Sequence, residues 1–239
     1  MNELLGAEKL SPLDGARCET TILFADVRGF TELTDVTQER AAEYVRENKL
    51  SGEAAESYFD EIARDTLSTV NTYLALVADM VKKHGGTLDK YIGDCVMAFW
   101  GAPIANPKHA LACVRAAIDS QQGMSELNKR RAEENKQLET ENSKRVSQGL
   151  PLKPLLPTLS LGTGINTGLV TVGLMGSEAH ILNYTIFGRE VNLASRLEHE
   201  SGHGRIVISE TTYEHLRRDD PALAAKCKPL EAVLVKGIR

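Results

Sequence analysis

Two aspartates stand where carboxylates could do chemistry. Asp26 ends the apolar run "ILFAD", and Asp94 sits at the tip of "DKYIGDCVMAFWG" (89–101). Each has a glycine close by, Gly29 and Gly93. If the two apolar runs are neighbouring strands, the carboxylates converge at one edge of a sheet. Side by side they repel, and a cation between them removes that cost. A pair of Mg2+ or Mn2+ ions about 3.5–4 Å apart could activate a hydroxyl and steady a leaving phosphate. Such ions need few protein ligands, because they keep waters and take phosphate oxygens from the substrate. On spacing alone the simpler alternative, each Asp capping its own turn, is preferred.

Asn192 and Arg196 form a second constellation. In "REVNLASRLE" they are four apart, so on a helix they project from one face. Asn offers a donor and an acceptor, and Arg a forked cation suited to phosphate. Thr185 lies just upstream, at the end of a short strand-like run. An exposed polar stripe explains these residues equally well. Two other motifs mislead. "HESGH" (199–203) matches H-E-x-x-H, but Ser201-Gly202 interrupts the helix that a zinc protease needs. "GTGINTG" (162–168) has the wrong spacing for a dinucleotide loop, and a strand-like run follows it. Its glycines read as a tight turn and a close backbone approach.

The elements that must position these residues follow from pattern. "CETTILFADV" (18–27) is a β-branched, buried strand. Residues 37–67 have helical propensity with a break at Ser51-Gly52. Val70, Tyr73, Leu74, Val77, Met80 and Val81 recur at helical spacing until Gly85-Gly86. A hairpin spans 87–100 around Gly93-Asp94. Asn106 is expected to cap a helix opening at Pro107, which runs on into a charged extension or flexible arm at 125–149. Residues 158–166 and 169–176 read as a hairpin around Thr167-Gly168. A strand (182–188), helix (189–200), strand (204–209), short helix and the start of a strand (231–239) complete the chain. The order suggests an α+β sandwich, with helices on one face of a largely antiparallel sheet.

Bulk properties exclude several classes. The chain has 239 residues and a net charge of −5, so no basic face for nucleic acid is implied. Cys18, Cys95, Cys113 and Cys227 are far apart and read as reduced thiols of a cytoplasmic domain. No apolar run approaches the ~20 residues that span a membrane, although a longer parent chain could be anchored.

"FADVRGFTEL", "DKYIGDCVMAFWGAP", "GTGINTGLVTVGLMGS" and "YTIFGREVNLASRLE", in this order, resemble the class III nucleotide cyclase catalytic domain. The resemblance spans roughly 18–237, after an N-terminal tail at 1–17. It implies a ferredoxin-like sandwich and a head-to-tail homodimer with two shared active sites. By position, Asp26 and Asp94, with the Val27 backbone carbonyl, would hold two Mg2+ or Mn2+ ions. Lys90 would read the purine as adenine, and Thr185 would be the second purine reader. That threonine is similar to the branch containing bicarbonate-stimulated enzymes, so bicarbonate is a candidate effector. Asn192 would orient the ribose, Arg196 would stabilise the transition-state phosphate, and Lys236 would hold the terminal phosphates. The implied reaction converts ATP to 3′,5′-cyclic AMP and pyrophosphate. A guanylate cyclase and a catalytically silent nucleotide-binding or dimerisation module are the alternatives. Relative to compact members, residues near 37–67 and 125–149 read as insertions, and the chain is expected to stop before the family's last strand.

Overall fold

The computed structural model describes residues 15–148, 152–177, 180 and 182–230. The expected strand at 231–239, with Lys236, lies outside them. The chain opens with β1 (Ala16–Arg28), two helices α1 (Phe30–Glu47) and α2 (Glu53–Lys83), and the hairpin β2 (Thr87–Ile92) and β3 (Cys95–Trp100). Helix α3 (His109–Ser147), the long strand β4 (Ser160–Gly176) and β5 (Leu182–Phe187) follow. Helix α4 (Arg189–Ser201), β6 (Ile206–Ile208), α5 (Glu210–Asp219) and α6 (Pro221–Ala224) complete it. The break between α1 and α2 falls at the expected Ser51-Gly52. Asn106 accepts a hydrogen bond from the Lys108 amide (2.9 Å), but α3 starts two residues later than Pro107, at His109.

The sheet order is β2-β3-β1-β4-β5, with β6 alongside β4. Every pairing is antiparallel except β4 with β6. β1 to β2 and β3 to β4 each cross over one intervening strand, which is the double split βαβ of a ferredoxin-like sandwich. Alternation along β1 splits the core. Leu23, Ala25 and Val27 pack with Tyr73, Val77 and Val81 of α2 and Cys113 and Val114 of α3. Ile22 and Phe24 face the other way, onto Met97, Phe99, Val172, Ile186 and Ala194 of α4. Helices therefore cover both faces of the sheet, where the pattern of elements suggested one.

β4 is a single strand through Thr167-Gly168, not a hairpin. Its register with β1 runs unbroken from Ser160 to Val172. The glycines that read as a turn instead alternate on the face beneath α4. A Cβ on Gly164 would lie 2.0 Å from the Glu198 amide nitrogen and 2.5 Å from the Ala194 carbonyl. Glycine there lets helix backbone lie directly on strand backbone, so the close approach was the correct half of the expectation.

The charged extension of α3 is a continuous helix, strapped by the returning chain. Asn128 donates to the Leu159 carbonyl (2.7 Å). Asn135 exchanges two hydrogen bonds with the Leu156 backbone (2.8 and 2.7 Å), and Asn142 two with Lys153 (both 2.8 Å). The spacing has a geometric cause. Seven helical residues rise about 10.5 Å and three extended residues cover about 10 Å, so the two backbones stay in step. Arg131 and the Tyr73 hydroxyl close the base of the strap on the Pro157 carbonyl (2.8 and 3.0 Å).

Candidate active site

Asp26 and Asp94 meet at the end of the sheet. β1 pairs Asp26 with Cys95, the first residue of β3, and the Val27 amide donates to the Asp94 carbonyl oxygen (3.3 Å). Sharp turns on both sides make this possible: Gly29 and Gly93 adopt φ of 88° and 62°, in the left-handed region. The two carboxylates thus share one sheet end, the arrangement expected if the two apolar runs are neighbouring strands and not the separate turn caps that spacing alone preferred.

The local field is negative. Burial first, and then the Asp94 charge, raise the Asp26 pKa above the usual carboxylate range. Glu198 of α4 is also raised, by burial, with Asp26 adding to the effect. The Cys95 thiol is pushed up to about 12, by burial and then by the Asp26 and Glu198 charges. One guanidinium opposes these acids. Arg28 pairs with Asp26 (2.9 Å) and with the Glu198 carboxylate, and donates to the Glu198 carbonyl (2.9 Å). Arg28 and Glu198 went unnoticed in the sequence. Arg28 could have been found, since it is two residues beyond Asp26 and so shares its strand face. Glu198 could not, because its place depends on how α4 docks. Oxygen donors under mutual repulsion and partly withdrawn from water fit hard divalent cations.

Lys90 and Thr185 form another group. They sit on β2 and β5, at opposite ends of the strand order, which a flat sheet would separate by about 19 Å. The sheet curls until they meet: Lys90 Nζ donates to Thr185 Oγ1 (3.3 Å), and Thr185 Oγ1 donates to Asp89 Oδ2 (2.6 Å). The Asp89 side chain is fully buried, and its Oδ1 lies 3.3 Å from Lys90 Nζ without a hydrogen bond to it. A β-bulge between Leu88 and Lys90 leaves Asp89 as the extra residue and turns it inward. Sequence reasoning passed over Asp89 because nothing in alternation marks a bulge.

Asn192 and Arg196 share a face of α4, as their spacing requires. Ala194, Glu198 and Ser201 are its buried positions. At 3.6 residues per turn, Asn192 and Arg196 lie about 160° from Ala194 on either side. They point away from the sheet, while Glu198 points toward Asp26. The "HESGH" stretch is not a helix-borne pair: α4 ends at Ser201, and His203 Nδ1 bonds Ser160 Oγ (2.8 Å). Among the described residues no helix is long and apolar enough to cross a membrane.

Residues 16–239 match the family model for the adenylate and guanylate cyclase catalytic domain. Adenylate cyclase 1 of Rhizobium meliloti is 29% identical over 92% of this chain and 26% of its own length. The adenylate cyclase of Anabaena cylindrica is 32% identical over 74% of this chain and 26% of its own. The chain thus spans about a quarter of the length of these relatives. Among solved structures, the adenylyl cyclase CyaB from P. aeruginosa is similar at 35% identity and a TM-score of 0.58, covering 86% of this chain and 84% of that one. The guanylyl cyclase Cya2 is similar at 28% identity and a TM-score of 0.62, covering 94% and 89%. With the matched model spanning nearly the whole chain, this protein belongs to the adenylate and guanylate cyclase catalytic domain family.

Proposed function

We propose that the chain is an adenylate cyclase domain, which closes ATP into 3′,5′-cyclic AMP and releases pyrophosphate. The ribose 3′-oxygen bonds to the α-phosphorus as the bond to the pyrophosphate oxygen breaks. Asp26 and Asp94, with the Val27 carbonyl, would hold two Mg2+ or Mn2+ ions. When bound, such ions lower the pKa of the attacking hydroxyl and offset phosphate charge. Asn192 orients the ribose, and Arg196 acts where negative charge grows on the phosphate. Lys236 is assigned to the terminal phosphates by its position in "VLVKG". Because Asn192 and Arg196 face away from their own sheet, a second copy of the chain brings them to the metal aspartates. A head-to-tail homodimer then has two equivalent sites.

The preference for ATP rests on one observation, the Thr185–Asp89 hydrogen bond. Asp89 accepts the Thr185 proton (2.6 Å), so toward a base Thr185 Oγ1 can only accept. It suits the adenine 6-amino group and not the guanine 6-oxygen. Lys90 can only donate, which suits adenine N1 and not the protonated N1 of guanine. An Asp89→Asn variant offers an amide donor in place of the acceptor and lets the hydroxyl reverse. Discrimination against GTP should fall about tenfold, the worth of one hydrogen bond. Unchanged ATP-to-GTP ratios of kcat/KM in that variant would remove Asp89 from the specificity argument.

The test of the whole reading is cyclic nucleotide formation by the purified domain with Mn2+ and either ATP or GTP, across protein concentrations. Cyclic AMP from ATP, with specific activity rising with concentration, is expected. Cyclic GMP as the main product would favour the guanylate alternative. Binding of an ATP analogue without turnover, in a folded dimer, would make the chain a silent module. Bicarbonate activation rests on Thr185 alone, and a flat rate across bicarbonate concentrations at fixed pH removes it.

A further inference from the structure

We infer that Glu19, His109 and His215 form a second metal site, selective for zinc-like transition ions and remote from the Asp26–Asp94 pair. Glu19 lies on β1, seven residues before Asp26, or about 23 Å along the strand. His109 is the first residue of α3, and His215 belongs to α5. Glu19 Oε1 is 3.5 Å from His109 Nε2 and 3.4 Å from His215 Nε2, and the three donor atoms lie within 4.8 Å of one another. Two edges of this triangle already match the roughly 3.3 Å separation of ligands around a tetrahedral zinc. The third edge, between the two imidazole nitrogens, is within 4.8 Å and must shorten for all three groups to bind one ion. Two imidazoles and a carboxylate select Zn2+ over Mg2+, which prefers all-oxygen sites.

The surroundings are those of a supported site. His109 is buried, and its Nδ1 meets Thr21 Oγ1 at 2.7 Å. A bond from Nδ1–H to that hydroxyl would leave Nε2 as the free ligand. Thr21 continues through Thr167 (2.8 Å) to Thr212 (2.9 Å), and Thr212 to Ser209 (3.0 Å), a buried hydroxyl chain that fixes the ring. The second ring must change partner. Arg218 Nη2, which can only donate, lies 3.2 Å from His215 Nδ1, so in the metal-free state His215 carries its proton on Nε2, toward Glu19. Metal binding moves that proton to Nδ1 and releases Arg218, which stays paired with Asp219 (2.8 and 3.0 Å). The exposed side of Glu19 leaves a fourth position for water.

The ion would pin β1, α3 and α5 together at the end of the sheet away from the aspartates. The test uses the wild-type domain dialysed against zinc in excess Mg2+, and its cobalt form. The expected results are one retained zinc ion per chain, tetrahedral Co2+ absorption without a thiolate charge-transfer band, and an unfolding midpoint raised by about 5–10 °C at a hundredfold excess over Kd. His215→Ala should abolish all three, and the surface variant Glu19→Gln should weaken retention about tenfold, while Asp26→Asn should keep it. Equal zinc retention in wild type and His215→Ala, no retained zinc in wild type, or a thiolate band in the cobalt spectrum would each overturn the site.

Discussion

Asp26→Asn and Arg196→Ala, each nearly inactive alone, should regain activity when mixed. Asp26→Asn removes a charge from the pair that would hold the metals, and Arg196→Ala removes a cation proposed to act where charge develops. A loss of about 10²–10³-fold in kcat is expected for each, with a smaller change in KM. Because Asp26 lies on the sheet side of α4 and Arg196 on the far side, the two defects would belong to different halves of each active site. A mixed dimer would carry both defects in one site and neither in the other. Random exchange of equal amounts then yields about a quarter of wild-type turnover, since half the dimers are mixed and each has one sound site. Steady-state rates of the separate and mixed variants read this directly. A mixture no better than its components, in samples shown to exchange subunits, would place both residues in a site within one chain.

The second large effect lies at Gly164, which touches no substrate. Gly164→Ala sets a methyl group 2.0 Å from one backbone atom of α4 and 2.5 Å from another. Backbone cannot rotate aside as a side chain can, so the helix must lift as a unit. Overpacking of this kind costs about 1–3 kcal/mol or more, and the upper end is expected. Chemical denaturation should show the loss of stability. Lifting α4 also displaces Asn192 and Arg196 together, and a shift near 1 Å can cost about 10²-fold in rate. Turnover well below the folded fraction would separate misplacement from simple unfolding. A variant with wild-type stability and rate would mean that α4 does not rest on β4 as described.

What could be read from sequence divides by the range of the interaction. That the two aspartates could converge was legible because each ends its own apolar strand, a local property, although spacing alone preferred two separate turn caps. The helix at 68–84 was legible from its 3.6-residue period, and the break at Ser51-Gly52 from the residues that make it. β4 was misread because glycine marks both turns and close packing. Only the docking of α4, some 30 residues downstream, shows which meaning applies at Gly164. Asp89 was invisible for a related reason. Its inward turn depends on a bulge, and its partner Thr185 is 96 residues away, at the other end of the strand order. Candidate residues thus stood out by type, whereas the residues that contact them became visible only once distant elements were in place.

The asparagine strap along α3 has a consequence for how this arm can vary. Each residue added to a helix turns everything beyond it by about 100°. A single insertion in α3 would swing Asn135 and Asn142 off the returning chain and break four backbone-directed hydrogen bonds at once. Seven residues added to the helix, with three added opposite, restore every rung. The arm is therefore gauged in whole steps of ten residues, like a ladder whose rungs must face both rails.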